Sequence, residues 1–128
     1  MNLLLDTQLL VWTTMRSELL PKSARTIIAD ERNRLHFSVI SLWEIAIKRG
    51  LKRPEFTVDP RVLRRALLDN GYAELTVTGV HALAIQELPP IHKDPFDRML
   101  VAQALVEGIT LMTVDALLAK YPCPVRRV

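Results

Sequence analysis

Residues 94–115 read DPFDRMLVAQALVEGITLMTVD, a stretch that holds a helix start, a helix, its stop and a strand in direct succession. Asp94 before Pro95 is a start signal, an acidic cap followed by a residue whose missing N–H is harmless in a first turn. The pattern then predicts a helix from Pro95 to Glu107, ended by Gly108, and a strand from Ile109 to Met112. A helix of about 13 residues is roughly 20 Å long. Feeding directly into a strand, it starts at the opposite edge of the sheet, where strands end. Such a unit is half of a crossover connection, and crossovers build parallel sheets.

The same alternation extends outward in both directions. Strands are expected at Asn2–Leu5, His36–Val39, Leu75–Thr78 and Ile109–Met112, with an edge strand at Val125–Val128. Helices are expected at Thr7–Met15, Lys22–Glu31, Ser41–Arg49, Arg61–Asn70, Val80–Glu87, Pro95–Glu107 and Asp115–Lys120. Gly50, Gly71 and Gly108 are placed at the left-handed position that closes a helix. The fold class is therefore α/β, a three-layer α/β/α sandwich whose mostly parallel sheet has four to five strands, read as one domain over residues 1–128.

Composition narrows the functional classes. The 128 residues are 49% hydrophobic, with 17 Lys and Arg against 14 Asp and Glu, which is mildly basic and names no partner. No apolar run approaches the roughly 20 residues of a membrane span. The opening MNLLLDTQLL lacks a basic leader and carries Asp6 within its apolar run, so a cytoplasmic protein with no membrane role is expected. One cysteine, Cys123, excludes an internal disulfide and a cysteine zinc site.

In sheets of this kind ligands bind beyond the carboxyl ends of the strands. Asp6 follows the first strand, Glu44 lies early in the helix after the second, and Asp115 follows Ile109–Met112. Asp97, in the first turn of the helix that returns to that strand, belongs to the same edge. Four converging carboxylates repel one another, and a divalent cation removes the conflict. An all-oxygen set without Cys or His at ligand spacing favours Mg²⁺ or Mn²⁺, ions that pair with phosphate chemistry.

Each acid also has a plain structural reading. Asp6, Asp94 and Asp115 each precede a helix and suit N-caps, Asp97 complements the helix dipole, and Glu44 can pair with Lys48 one turn on. Asp94 is read mainly as the cap before Pro95. Thr7, Ser38, Ser41 and Thr113 flank the acids and are supporting hydroxyls, able either to orient a carboxylate or to cap. Among basic residues, Arg98 and Lys93 are expected nearest the cleft as phosphate contacts. Lys48, which opens the KRGLKR cluster, is a third candidate substrate contact, although that cluster and the Arg61, Arg64 and Arg65 group on another helix read equally well as solvated basic faces. His92, just before Asp94, has the place of a base or a substrate contact but is read mainly as a loop residue without a catalytic duty, His36 and His81 as structural, and Trp12 and Trp43 as core or interface.

LLLDTQLLVW, SVISLWEIAIK, HKDPFDRMLVAQAL and TLMTVD, in that order, resemble the signature segments of PIN-domain ribonucleases of the VapC toxin type. The resemblance spans nearly the whole chain and implies an α/β/α fold. It implies metal-binding acids at Asp6, Glu44, Asp97 and Asp115, with the second Asp of DPFDR, not Asp94, as the third acid. Gln8 departs from relatives that often carry His there. The implied activity is a Mg²⁺- or Mn²⁺-dependent endoribonuclease, the toxin of a type II toxin–antitoxin pair. It would hydrolyse RNA with a metal-activated water, leaving 5′-phosphate and 3′-hydroxyl ends. A small antitoxin would restrain it, and the toxin would form a homodimer.

Two rival classes are distinguishable. An aspartyl-phosphate phosphatase with Asp6 as nucleophile wants a second Asp two residues on, where Gln8 stands. A non-catalytic PIN-like module binding RNA or protein would leave the four repelling acids without a purpose. With those four set aside, 17 basic residues face ten acidic ones, an acidic pocket in a basic body.

Overall fold

A computed structural model describes residues 1–128. Five strands form one parallel sheet in the order β3-β2-β1-β4-β5: β1 Asn2–Leu5, β2 Arg34–Ser38, β3 Ala73–Leu75, β4 Thr110–Thr113 and β5 Val125–Arg127. Six α-helices connect them: α1 Thr7–Met15, α2 Lys22–Ala29, α3 Val39–Gly50, α4 Pro60–Asp69, α5 Gly79–Ala84 and α6 Pro95–Glu107. The chain steps outward from β1 to β3, then crosses back to place β4 on the other side of β1. The order reverses between β1 and β4, and a crevice opens there at the carboxyl ends.

Consecutive leucines of β1 serve two cores. Leu3 and Leu5 face Phe37, Met112 and the apolar sides of α1, α2 and α4, while Leu4 faces Leu111, Ile109 and α6 on the other surface. All three leucines are fully buried, which explains why β1 reads as an unbroken apolar run: a parallel strand covered on both faces has no polar side. Helix α3 lies where the two cores meet, with Ile45 in the first and Ile40 in the second.

Several boundaries differ from the sequence expectation. β2 begins two residues earlier and stops at Ser38, whose hydroxyl accepts the Ile40 N–H at 3.0 Å, so α3 starts at Val39 without a loop. Val39 and Ile40 are apolar and β-branched, and a short run of that kind does not reveal whether it extends a strand or opens a helix. β3 lies at Ala73–Leu75, because Leu75 pairs with Ser38 and beyond it β2 offers no backbone to Thr76–Thr78. The expected helix at Asp115–Lys120 is a turn followed by a 3₁₀ segment at Leu118–Lys120, and the end of Val80–Glu87 is likewise 3₁₀. The edge strand at Val125–Arg127 is present and parallel.

Gly71 and Gly108 close their helices at φ +82° and +66°, whereas Gly50 is the last residue of α3 and the left-handed residue nearby is Lys52 at φ 58°. The glycine pair gives a test of opposite sign. Gly108→Ala forces a Cβ into left-handed backbone and should cost about 1 kcal/mol. Gly50→Ala meets open space in a helical residue and should stabilise by about 0.5–1 kcal/mol. Chemical denaturation of the two variants reads both, and equal signs would refute the assignment of the two backbones.

Candidate metal centre

Asp6 begins where β1 ends. Its backbone N–H still reaches Met112 O in β4, and its side chain caps α1 by accepting the Leu9 N–H at 2.9 Å on Oδ1. The other oxygen accepts the hydroxyl of Thr113, which ends β4. Capping and a place at the sheet edge are thus the same geometry. Thr113 Oγ1 also accepts the Asp115 N–H at 3.0 Å, so one hydroxyl links the two acids that follow β1 and β4. Asp115 then closes its own turn by accepting the Leu117 N–H at 2.8 Å.

Glu44 arrives from α3 and is buried with Asp6. The Thr7 hydroxyl is 2.7 Å from Glu44 Oε1 and 2.8 Å from Ser41 Oγ, so with its single proton it serves one and accepts from the other. Thr7, Ser41 and Thr113 therefore orient acids, while Ser38 is a helix cap. Asp97 comes from the first turn of α6, whose N-cap Asp94 accepts the N–H groups of Phe96 and Asp97 at 2.8 and 3.2 Å. Asp94 is a cap, as its place before Pro95 indicated.

These side chains border a cleft of about 320 Å³ lined by Asp6, Glu44, Glu55, Asp94, Asp97 and Asp115, with Lys48 as its one cationic side chain. The charge imbalance is visible in the acids. Burial pushes Asp6 up to about 6 and the Glu44 charge adds to the rise, against the pull of the Thr113 and Leu9 hydrogen bonds. Burial pushes Asp97 up to about 7, with Asp94, Glu44 and Asp6 adding repulsion and His92 opposing it. A set of hard oxygen donors too negative for its own protein suits a hard divalent cation, so the residues fit Mg²⁺ or Mn²⁺. His92, Asp97 and Asp115 also bring one donor atom each within 4.8 Å of one another.

The basic residues fall differently from expectation. Arg98 is turned into the loop before α6: Nη1 donates to Pro89 O at 3.1 Å and to the Tyr121 hydroxyl at 3.2 Å, and Nη2 donates to Ile85 O at 3.1 Å. A guanidinium committed to two carbonyls and a phenol is a brace, so the phosphate contact expected of Arg98 is corrected to a structural role. Lys48 Nζ lies inside the cleft, 2.5 Å from Glu44 Oε2, 4.0 Å from Asp94 Oδ2 and 4.9 Å from the centre of the Phe56 ring. Lys93 is exposed. Arg49 and Arg64 face Asp59 and Glu74.

His92, read from sequence as a loop residue, has its imidazole among the acids. Its Nε2 is 3.1 Å from Asp115 Oδ2 and 3.3 Å from Asp97 Oδ2. The available signal was its position two residues before Asp94 in a loop stiffened by Pro89 and Pro90. His81 is structural as expected, closing a capping box with Thr78 and meeting Glu107 at 2.9 Å. Trp12 packs against the first core, but Trp43 is 59% exposed and only edges onto Phe96.

The whole chain superposes on chains from solved VapBC structures. VapBC2 from Rickettsia felis, bound to a promoter DNA fragment, matches with TM-score 0.73 and 15% identity over 100% of this chain and 99% of that one. DNA-bound VapBC from Salmonella typhimurium matches with TM-score 0.67 and 16% identity over 99% and 98%. VapBC-1 from nontypeable Haemophilus influenzae matches with TM-score 0.58 and 19% identity over 99% and 98%. At such identities the likeness concerns the fold. Among curated proteins, none matches the chain. The family model of the PIN domain matches residues 3–122. Five parallel strands, acids at the switch between β1 and β4 and that near-complete match agree: the chain belongs to the PIN domain family.

Proposed function

We propose that this chain is a metal-dependent endoribonuclease and the toxin of a type II toxin–antitoxin pair of the VapC type. The observation that carries the reading is one cleft in which acids from four separate elements converge against a single lysine, with two of them held well above the usual carboxylate range. Asp6, Glu44 and Asp97 would hold Mg²⁺ or Mn²⁺, and Asp115 would support a second or weaker site. The ion supplies Lewis acidity to a phosphodiester and lowers the pKa of water beside it. Thr113 and Leu9 fix the Asp6 carboxylate, and Thr7 fixes Glu44, so the donors need little reorganisation. Addition of water to phosphorus expels the 3′ oxygen, giving 5′-phosphate and 3′-hydroxyl ends. Lys48 and Lys93 are the basic side chains left to meet RNA phosphates near the acids.

The partner reading follows from shape. A groove lined by Val11, Trp12, Met15, Leu19, Val58 and Val62 shares Gln8 and Glu55 with the acidic cleft. An antitoxin helix with an apolar face would lie in it and aim a basic side chain at the acids. The neighbouring folds come from VapBC assemblies, which supports this partner class. The reading includes a homodimer, for which exposed Trp43, Val80 and Leu83 offer apolar surface. No helix is long and apolar enough to cross a membrane.

RNA incubated with the purified chain and Mn²⁺ should be cut to 5′-phosphate products, with cleavage abolished by chelator. Asp97→Asn should lower the rate by more than about a hundredfold, beyond the range of outer-shell substitutions. Equal cleavage by Asp97→Asn, or 2′,3′-cyclic phosphate ends, would overturn the proposal.

Stability should move the other way. Asp97 is raised to about 7 in the fold, so its contribution is fully present below the unfolded value near 4 and is lost as pH climbs through 7. With chelator present, the wild-type chain should lose on the order of 1–3 kcal/mol between pH 5.5 and pH 8 that Asp97→Asn retains. Parallel pH profiles for the two proteins in chemical denaturation would contradict the burial of that carboxylate.

A further inference from the structure

The loop before α6 is tied down by a network that the proposed chemistry does not use. The Tyr121 hydroxyl accepts the His92 N–H at 2.8 Å and an Arg98 N–H at 3.2 Å, and Arg98 reaches on to the carbonyls of Pro89 and Ile85. At the imidazole, Nδ1 accepts the Asp94 N–H at 3.1 Å. A ring nitrogen that accepts a backbone N–H carries no proton, so in the neutral ring the proton sits on Nε2. That nitrogen faces Asp115 Oδ2 at 3.1 Å and Asp97 Oδ2 at 3.3 Å.

The geometry points to His92 as a positioning residue, a hydrogen-bond donor to Asp115 whose Nε2 also stands against Asp97, so that one ring sets the orientation of both carboxylates. It is not a fourth ligand. Coordination through Nε2 would move the proton to Nδ1, where the Asp94 N–H already points, and two donors would then face each other. Donation from Nε2 holds Asp115 by Oδ2 while the Leu117 N–H holds Oδ1, and with Asp97 Oδ2 turned toward the ring, Asp97 Oδ1 is left without a hydrogen-bond partner. The brace from Arg98 through Tyr121 holds the His92 backbone from which the ring projects, and this is the use to which the arginine beside Asp97 is put.

This inference rests on the metal reading proposed above, and its test needs no RNA. In the metal-free wild-type chain, ¹⁵N NMR of the imidazole should show the tautomer protonated at Nε2. Mn²⁺ alone, titrated by thermal shift, should saturate His92→Phe at about tenfold higher concentration, within the range for a lost outer-shell partner. His92→Gln, which keeps an N–H near the Nε2 position, should stay within about threefold of wild type on the same outer-shell scale. A ring protonated at Nδ1 overturns the proposal, as does wild-type Mn²⁺ affinity in His92→Phe, or equal weakening in Phe and Gln variants, which marks a ligand. If His92→Phe does not fold, the wild-type tautomer and the Gln titration decide. Absence of RNA cleavage in a protein that passes these measurements would count against the nuclease reading alone.

Discussion

The buried carboxylate of Asp6 is the point around which this edge of the molecule is organised. It stands where β1 becomes α1, takes the Leu9 N–H on one oxygen and the Thr113 hydroxyl on the other, and so ties the helix start to the end of β4. Those bonds are what make its burial tolerable, since an ionised group out of water without partners is expensive. Thr113 then fixes Asp115, Thr7 fixes Glu44, and Asp94 fixes the turn that presents Asp97. Each acid is held by a neighbour at a strand end or a helix start.

This arrangement opposes stability. Asp6 and Asp97 both hold their protons more tightly in the fold than in water, for want of solvation first and because of neighbouring acids as well. The offset lies in the two cores, where Leu3, Leu4 and Leu5 are fully buried and Phe37, Leu111 and Met112 fill the layers beside them. Each such side chain contributes about 1.5–3 kcal/mol from burial alone. A stiff double core thus carries a strained edge, a common relation between scaffold and site.

Lys48 and Arg98 show why proximity in sequence does not fix a role. Both are cations beside acids. Lys48 extends along α3 into the cleft and meets Glu44 one turn back. Arg98, adjacent to Asp97 on a helix, points about 100° away from it around the axis and finds carbonyls instead of the cleft. The one histidine near the acids does the reverse: from a loop position with no periodicity it reaches the centre of the cluster.

The sequence by itself determined the layers and the edge. Strand–helix alternation, capping residues and helix stops are local signals, and they were enough to place Asp6, Glu44, Asp97 and Asp115 at the carboxyl ends of parallel strands. Local signals failed where a boundary is set by a partner, as at Thr76–Thr78, which leave the sheet because β2 has already turned into α3. They failed again at Arg98 and His92, whose roles depend on Tyr121 more than 20 residues away in the chain. Which nitrogen of His92 is protonated, which way Arg98 turns and how far burial raises Asp97 are decided only by tertiary structure. Hydrogen-bond partners and loss of water come from the assembled fold, and no window of sequence contains them.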